Sequence, residues 1–137
     1  MSTGTTKGPF MGASTVLATA FRGTVAANAS NLEIFQIDLP ADEDWYVTRV
    51  AAYCSNQGNG GSVNPKGGGV ALLAAAITLV TADSIESAPT TDAGESAGKR
   101  VAAGTSLTVE ASDGATTAIA DLVVTIEGFK RKIGVPR

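Results

Sequence analysis

Residues 118–129, AIADLVVTIEGF, carry the clearest periodic pattern in the chain. Leu122, Val124 and Ile126 recur at every second position, which places them on one side of an extended strand. The opposite side carries three polar residues, Asp121, Thr125 and Glu127. This alternation is typical of a β-strand that buries one face and exposes the other, so we expect its apolar face to line the core of an all-β domain.

The same period-two pattern extends outward from this strand through much of the chain. It predicts strands over residues 32–39 and 45–53, the second of them apolar on both faces, and over residues 100–103 and 106–111. Residues 70–80 are interpreted as a buried strand and not as an alanine-rich helix, because β-branched residues follow the alanines. About seven or eight short strands and no amphipathic helix predict a single antiparallel β-sandwich or jelly-roll-like domain.

Three segments carry turn or loop signals. Residues 55–69 contain six glycines and one proline, and we expect a long exposed loop there. Residues 81–99 are expected to form an irregular acidic connection. Ser112-Asp113-Gly114 is typical of a hairpin turn, so the last two strands are expected to pair antiparallel with each other.

Composition excludes several classes of function. The chain contains no histidine, which removes the commonest general base and metal ligand. Cys54 is the only cysteine, so we expect no internal disulfide and interpret this residue as a small buried side chain. A formal net charge of −3 gives no overall cationic field, and we expect neither free nucleic acid nor a membrane as a partner. Residues 1–12 lack the apolar block of a secretory signal, which predicts synthesis in the cytoplasm.

Motifs for catalysis or cofactor binding are weak in this sequence. The glycine-rich stretch matches neither a P-loop nor a dinucleotide-binding fingerprint, because its lysine and glycines have the wrong spacing. Asp42-Glu43-Asp44 is interpreted as a solvated acidic turn, with a calcium or magnesium site as the alternative. A pair of carboxylates for glycoside hydrolysis is a further alternative. We predict no catalytic residue, no cofactor and no metal ligand.

Two groups of residues are candidates for binding a partner. Residues 1–30 are interpreted as an extended arm followed by an edge strand, ahead of a sandwich at residues 31–132 and a tail at residues 133–137. The arm holds Phe10 and Phe21 among small polar residues, and aromatic side chains often anchor protein interfaces. One or both of these rings could instead cap the sandwich. The candidate partner-binding residues are Phe10, Phe21, Arg22, Lys130, Arg131 and Lys132.

The basic residues at the C-terminal end segregate charge along the chain. Lys130, Arg131, Lys132 and Arg137 lie within the last eight residues, whereas all thirteen acidic residues precede them. The alternatives are a solvated terminus and a group that docks onto an acidic protein surface, since complementary potentials steer association.

Residues 32–132 resemble small structural proteins of tailed-phage virions, notably capsid decoration (cement) proteins. The resemblance lies in strands rich in alanine, glycine and threonine: FQIDLP at residues 35–40, residues 45–53, VAAGTSLTV at residues 101–109 and DLVVTIEG at residues 121–128. It implies a non-enzymatic protein on the exterior of the capsid that bridges neighbouring copies of the major capsid protein and stabilises the head. Such proteins often assemble with copies of themselves, as trimers in many cases.

Two other functions remain as alternatives. One is a head or tail fibre, or a receptor-binding jelly roll, whose glycine-rich loop contacts a glycan on the host surface. The other is a small carbohydrate-active or metal-binding enzyme on the same fold. A capsid protein predicts an arm buried against the shell, a receptor-binding module predicts exposed aromatic platforms for sugars, and an enzyme predicts two acids that converge in a cleft.

Overall fold

The computed structural model describes residues 15–89 and 99–134, in which the chain forms eleven β-strands and no helix. The strands are β1 (Thr15–Val25), β2 (Leu32–Asp38), β3 (Glu43–Cys54), β4 (Asn56–Gln57), β5 (Ser62–Gly67), β6 (Val70–Ala71), β7 (Ile77–Thr78), β8 (Ser84–Pro89), β9 (Lys99–Val101), β10 (Ser106–Ser112) and β11 (Ile119–Lys132).

The strands form two antiparallel sheets that pack face to face. Sheet A has the order β1-β11-β3-β8, with the short strands β4 and β9 paired to β11 and β3. Sheet B has the order β2-β10-β5-β6, with β7 paired to β5. The prediction of an all-β antiparallel sandwich is therefore confirmed.

The core lies between the two sheets and is built from medium-sized aliphatic side chains. Leu122, Val124 and Ile126 of β11 are fully buried, which confirms the facing predicted from their alternation. Leu107 and Val109 of β10 meet them from sheet B, and they are also fully buried. Because β11 lies between β1 and β3, its inward side chains are enclosed on every side.

A β-bulge interrupts the alternation of β3. Glu127 and Gly128 of β11 are consecutive, but they pair with Arg49 and Val47, so that Thr48 is the extra residue on β3. An extra residue shifts every later side chain to the other face. Trp45 and Val47 point inward before the bulge, and Val50, Ala52 and Cys54 point inward after it. The period-two pattern predicted for residues 45–53 contains no bulge, so it assigns part of this strand to the wrong face.

The glycine-rich stretch at residues 55–69 is not a long exposed loop, and this prediction was wrong. It contains β4 and β5, and β5 pairs with β10 inside sheet B. Val63 and Pro65 are buried because they alternate with polar residues along β5. Gly67 lies against Val101, where a β-carbon would come within 2.6 Å of a valine methyl group. Some of these glycines therefore serve close packing as well as turns.

Two further assignments are corrected. Residues 84–89 of the expected acidic connection form β8, whose pairing with β3 gives its backbone groups partners. Residues 70–80 form neither one strand nor a helix, but the two-residue strands β6 and β7 with bends between them. Leu72, Leu73 and Leu79 of this stretch are buried, so it packs on the core largely through irregular backbone.

The predicted hairpin between the last two strands is also wrong. β10 belongs to sheet B and β11 to sheet A, so Asp113 and Gly114 carry the chain from one sheet to the other. Asp113 accepts a hydrogen bond from the Asn59 amide at 2.9 Å, and the Asn28 amide donates to the Gly114 carbonyl at 2.9 Å. These contacts tie the crossing to neighbouring loops, whereas a two-residue hairpin would close on itself.

Candidate interaction surfaces

The outer face of sheet A carries a shallow apolar groove. Val123 of β11 pairs with Tyr53 of β3, and Tyr53 pairs with Ile85 of β8. Ala51 and Thr125 form the next row of this face. These five residues, together with Ala52, line a groove of about 250 Å³, and Ile85 is 70% exposed. Ile85 is the most exposed of the large apolar side chains in the described part of the chain.

An aromatic pair lies on the same face toward the other end of the strands. Tyr46 of β3 pairs with Phe129 of β11, and their rings stack at a centroid distance of 5.2 Å and an angle of 8°. Phe129 lies six residues beyond Val123, so the pair is roughly 20 Å from the far end of the groove. Both rings are half-buried by their neighbours and keep an exposed side.

The outer face of sheet B is polar. Ser106 donates a hydrogen bond to Asp38 at 2.7 Å, and Gln36 donates to the same carboxylate at 3.0 Å. These bonds hold the pKa of Asp38 below its usual value. Lys66 and Glu110 form an ion pair at 3.1 Å on the neighbouring strands. The outer face of sheet A thus carries an apolar groove and an aromatic pair among charged residues, whereas the outer face of sheet B carries hydrogen-bonded polar groups and an ion pair.

Acidic residues gather at the groove end of sheet A. Asp83 accepts a hydrogen bond from the Tyr53 hydroxyl at 2.9 Å, and Asp121 accepts one from the Ser55 hydroxyl. The pKa of Tyr53 is raised first by its hydrogen bond to Asp83, then by burial and by the charges of Asp83 and Asp121. Both carboxylates thus act on the tyrosine that lines the groove.

Basic residues gather at the aromatic-pair end. Arg131 lies opposite Asp44 in the ladder between β11 and β3, and Arg100 of β9 lies opposite Tyr46. Asp44, which is 7% exposed, accepts from the Arg100 Nε at 2.9 Å and from the Ala103 amide at 2.8 Å. Its charge is therefore already matched by Arg100, and Arg131 adds positive charge to this end.

The residues that the sequence nominated for partner binding fall into two groups. Phe10 lies outside the described residues. Phe21 is half-buried and packs against the core, and the adjacent Arg22 is exposed on the outer face of β1 opposite Val123. The ring of Phe21 thus contributes to the sandwich, while Arg22 borders the groove.

The nominated basic residues belong to the last strand. β11 continues through Lys132, so Lys130, Arg131 and Lys132 extend a strand and do not follow it. The Lys130 ammonium lies 4.7 Å from the centroid of the Trp45 ring, and Lys132 donates to Asp42 at 3.1 Å. Because these three residues belong to a strand, the sheet fixes where their charged groups lie.

Within residues 15–89 and 99–134, no group of three or more Cys, Asp or Glu side chains could hold a metal ion. Cys54 is buried as predicted, and burial, followed by the charges of Asp83 and Glu86, raises the pKa of its thiol. In the same described part of the chain, no helix is long and apolar enough to cross a membrane.

The groove and the aromatic pair were not among the residues nominated from the sequence. The available signal was that residues 45–53 are apolar on both faces, because a strand in a two-sheet sandwich needs only one apolar face for the core. Ile85 gave no such signal, since it lies in a stretch interpreted as irregular. Its contribution depends on the pairing of β8 with β3.

We expect Asp44→Asn to lower stability by about 1–2 kcal/mol near neutral pH, because the Arg100 and Ala103 donors would lose a charged acceptor. Burial raises the pKa of Asp44, but the hydrogen bonds from Arg100 and Ala103 and the charges of Arg100 and Arg131 outweigh it and lower that pKa. A lowered folded-state pKa gives stability above the unfolded value, about 3.9, and this stability is lost as the pH falls through the folded value.

Urea unfolding between pH 7 and pH 2.5 measures this contribution. The difference between wild type and Asp44→Asn should be greatest above about pH 5 and should shrink below about pH 4. Asp42→Asn is the matched control, since Asp42 and Lys132 form an exposed pair. It should change stability little at any pH. A constant difference between wild type and Asp44→Asn across the whole range would contradict the assignment.

No protein-family model, curated protein or solved structure matches this chain.

Proposed function

We propose that this chain is a non-enzymatic structural protein of a tailed-phage virion, a decoration protein on the capsid exterior that binds neighbouring copies of the major capsid protein. The resemblance of residues 32–132 to capsid decoration proteins supports the kind of assembly. The contrast between the two outer faces supports a role in binding, because sheet A presents apolar and aromatic side chains that a partner would cover.

One observation carries the proposal furthest: the described chain enters sheet A at the end of the sandwich that also holds Lys130, Arg131 and Lys132. β1 begins at Thr15, which pairs with Gly128, so the chain enters sheet A two residues from Lys130 on the neighbouring strand. Phe10 is five residues before Thr15, within roughly 17 Å of it even in an extended chain. A partner that takes up both Phe10 and these basic residues would need a surface that is acidic around an apolar pocket.

Binding to capsids made without this protein tests the proposal. Purified chain should co-sediment with such particles at a fixed number of copies per particle, and the decorated particles should resist a higher temperature. A variant that lacks residues 1–12 should keep the wild-type unfolding temperature and lose at least tenfold in affinity, because Phe10 would be absent while the core is intact. Retained binding with a much lower unfolding temperature would contradict the role of the arm.

The charge contribution is tested in the same assay. Lys130→Glu, Arg131→Glu and Lys132→Glu together should slow association at low salt, and raising the salt should slow the wild type but not the triple variant. Lys66→Glu on sheet B is a single-site control for a charge reversal elsewhere. Equal association rates for wild type and triple variant at both salt concentrations would show that Lys130, Arg131 and Lys132 do not contribute to capsid binding.

A further inference from the structure

The groove and the aromatic pair lie toward opposite ends of one face, the outer face of sheet A. The groove is a concave apolar surface lined by Ala51, Tyr53, Ile85, Val123 and Thr125. The aromatic pair, Tyr46 and Phe129, is an apolar surface several residues away along the same strands. The volume of about 250 Å³ lies just below the range of about 300–1,000 Å³ typical of small-molecule pockets, so a protruding side chain is a better occupant than a free ligand.

The two ends of this face also differ in their charged residues. Asp83 and Asp121 lie at the groove end, and both raise the pKa of Tyr53. Arg100 and Arg131 lie at the aromatic-pair end. Between the ends, Arg49 of β3 and Glu127 of β11 face each other across the ladder. Arg22 borders the groove and Asp44 lies between the two arginines, so the groove end has two acidic residues and one basic residue, and the aromatic-pair end has two basic residues and one acidic residue. The two ends of this surface therefore differ in the sign of their net charge.

A two-fold axis brings each feature onto its complement. If the axis lies between two facing sheets and runs across their strands, it reverses the strand direction in the second copy. The groove of each copy then meets the aromatic pair of the other, and acidic ends meet basic ends, twice in one interface. Such a self-complementary contact is the defining property of an isologous dimer. Sheets that pack face to face with their strands nearly aligned are also the common arrangement in β-sandwiches.

We propose that the partner of this surface is a second copy of the chain, and that two copies pack through the outer faces of sheet A with each Tyr46–Phe129 pair seated against the other copy's groove. The inference goes beyond the proposed virion role and does not depend on it, because it concerns the purified chain alone. It also assigns functions to Ile85 and Val123, which the core does not use.

The size of the face sets the expected affinity. Four strands spaced about 4.8 Å apart, covered over six residues of about 3.4 Å each, present a flat area of roughly 400 Å² per copy. Interfaces of this size are at the small end of specific contacts, below about 1,200 Å² in total. We therefore expect a dimer with a dissociation constant in the micromolar range, which separates into monomers on dilution.

Sedimentation of the full chain from about 1 to 200 μM tests self-association. Wild type should pass from monomer to dimer over this range. Ile85→Glu in the groove and Phe129→Lys in the aromatic pair should each weaken the dimer at least tenfold, because each substitution places a charge in both copies of the contact. Thr108→Glu, on the outer face of sheet B, adds the same charge as Ile85→Glu and should dimerise like wild type. Thermal unfolding of each variant verifies the fold.

Mixing the two variants tests the predicted contact itself. In a mixed dimer, the carboxylate introduced at position 85 of one copy would face the ammonium introduced at position 129 of the other, and the second contact would be the wild-type one. An equimolar mixture of Ile85→Glu and Phe129→Lys should therefore form heterodimers at concentrations at which each variant alone is monomeric. This result separates a defined two-fold contact from general loss of stability.

The remaining outcomes overturn the proposal. A wild type that stays monomeric at 200 μM has no such interface. A trimer by mass contradicts the two-fold arrangement. Wild-type dimerisation of folded Ile85→Glu, or a mixture that stays monomeric, shows that the groove does not contact the aromatic pair. Binding to capsids is measured separately with particles, so its outcome is distinguishable from that of self-association.

Discussion

Val124→Asp should prevent the chain from folding to a soluble, cooperatively unfolding protein. Val124 is fully buried at the centre of β11, and β11 is flanked by β1 and β3. Its partners on the flanking strands are Phe21 and Ala52, whose side chains are apolar and would give a carboxylate there no hydrogen-bond donor. Burying an unpaired charge costs at least several kcal/mol, comparable with the total stability of a domain, about 5–15 kcal/mol.

Thr125→Asp is the matched control, one residue away on the same strand. Thr125 points to the outer face of sheet A and is half-buried there, so a carboxylate can reach water. We expect this variant to be soluble, with a stability within about 1 kcal/mol of wild type. Circular dichroism and urea unfolding of the two variants, at concentrations where the protein is monomeric, measure the contrast. Equal loss of folding in both would mean that β11 is buried on both faces.

The sequence alone predicted the fold class and the strands with the strongest patterns. β2, β3, β10 and β11 lie close to the residues assigned to them, because their alternation persists over at least six positions. The facing of Leu122, Val124 and Ile126 followed from that alternation and is confirmed. Period two is a strong signal wherever one face of a strand is buried and the other is polar.

The errors share a physical cause, which is that tertiary contacts outweighed local turn signals. β5 contains glycine and proline, yet it lies within sheet B because β10 pairs along it and Val63 is buried. β8 combines Glu86 with Pro89 and shows little alternation of its own, and its pairing with β3 defines it as a strand. Asp113-Gly114 has the composition of a hairpin turn but connects two sheets, a choice that only long-range pairing decides.

The candidate interaction surface was predictable only in part. An aromatic and aliphatic second face on residues 45–53 was visible in the sequence, but its continuation onto Val123 and Ile85 depends on strand order. The bulge at Thr48 matters for the same reason, because it places Tyr46 and Tyr53 on one face although they are seven residues apart. An odd spacing would otherwise put them on opposite sides of the sheet.

Gly128→Ala should destabilise the protein by about 3 kcal/mol or more, the upper part of the range for overpacked sites. Gly128 lies at the bulge between β11 and β3, and a β-carbon there would overlap the carbonyl oxygen of Tyr46 and approach a Leu17 methyl group at 3.0 Å. The first of these neighbours is backbone, so a change of rotamer cannot relieve the overlap. Either the β3–β11 ladder or the bulge must move, and both hold the centre of sheet A together.

Gly104→Ala separates this steric cost from the general cost of replacing a glycine. Gly104 has a φ of 77° with open space around its α-carbon, so an alanine there pays only for its backbone conformation, about 1–2 kcal/mol. Gly128 has no such φ, and its requirement for glycine comes from space alone. Thermal unfolding should therefore show a decrease of roughly 10 °C for Gly128→Ala and a clearly smaller one for Gly104→Ala. A larger decrease for Gly104→Ala than for Gly128→Ala would contradict this account. The close approach of β11 to Tyr46 would then not be a feature of the folded protein, and the bulge that places the aromatic pair on the outer face would lose its support.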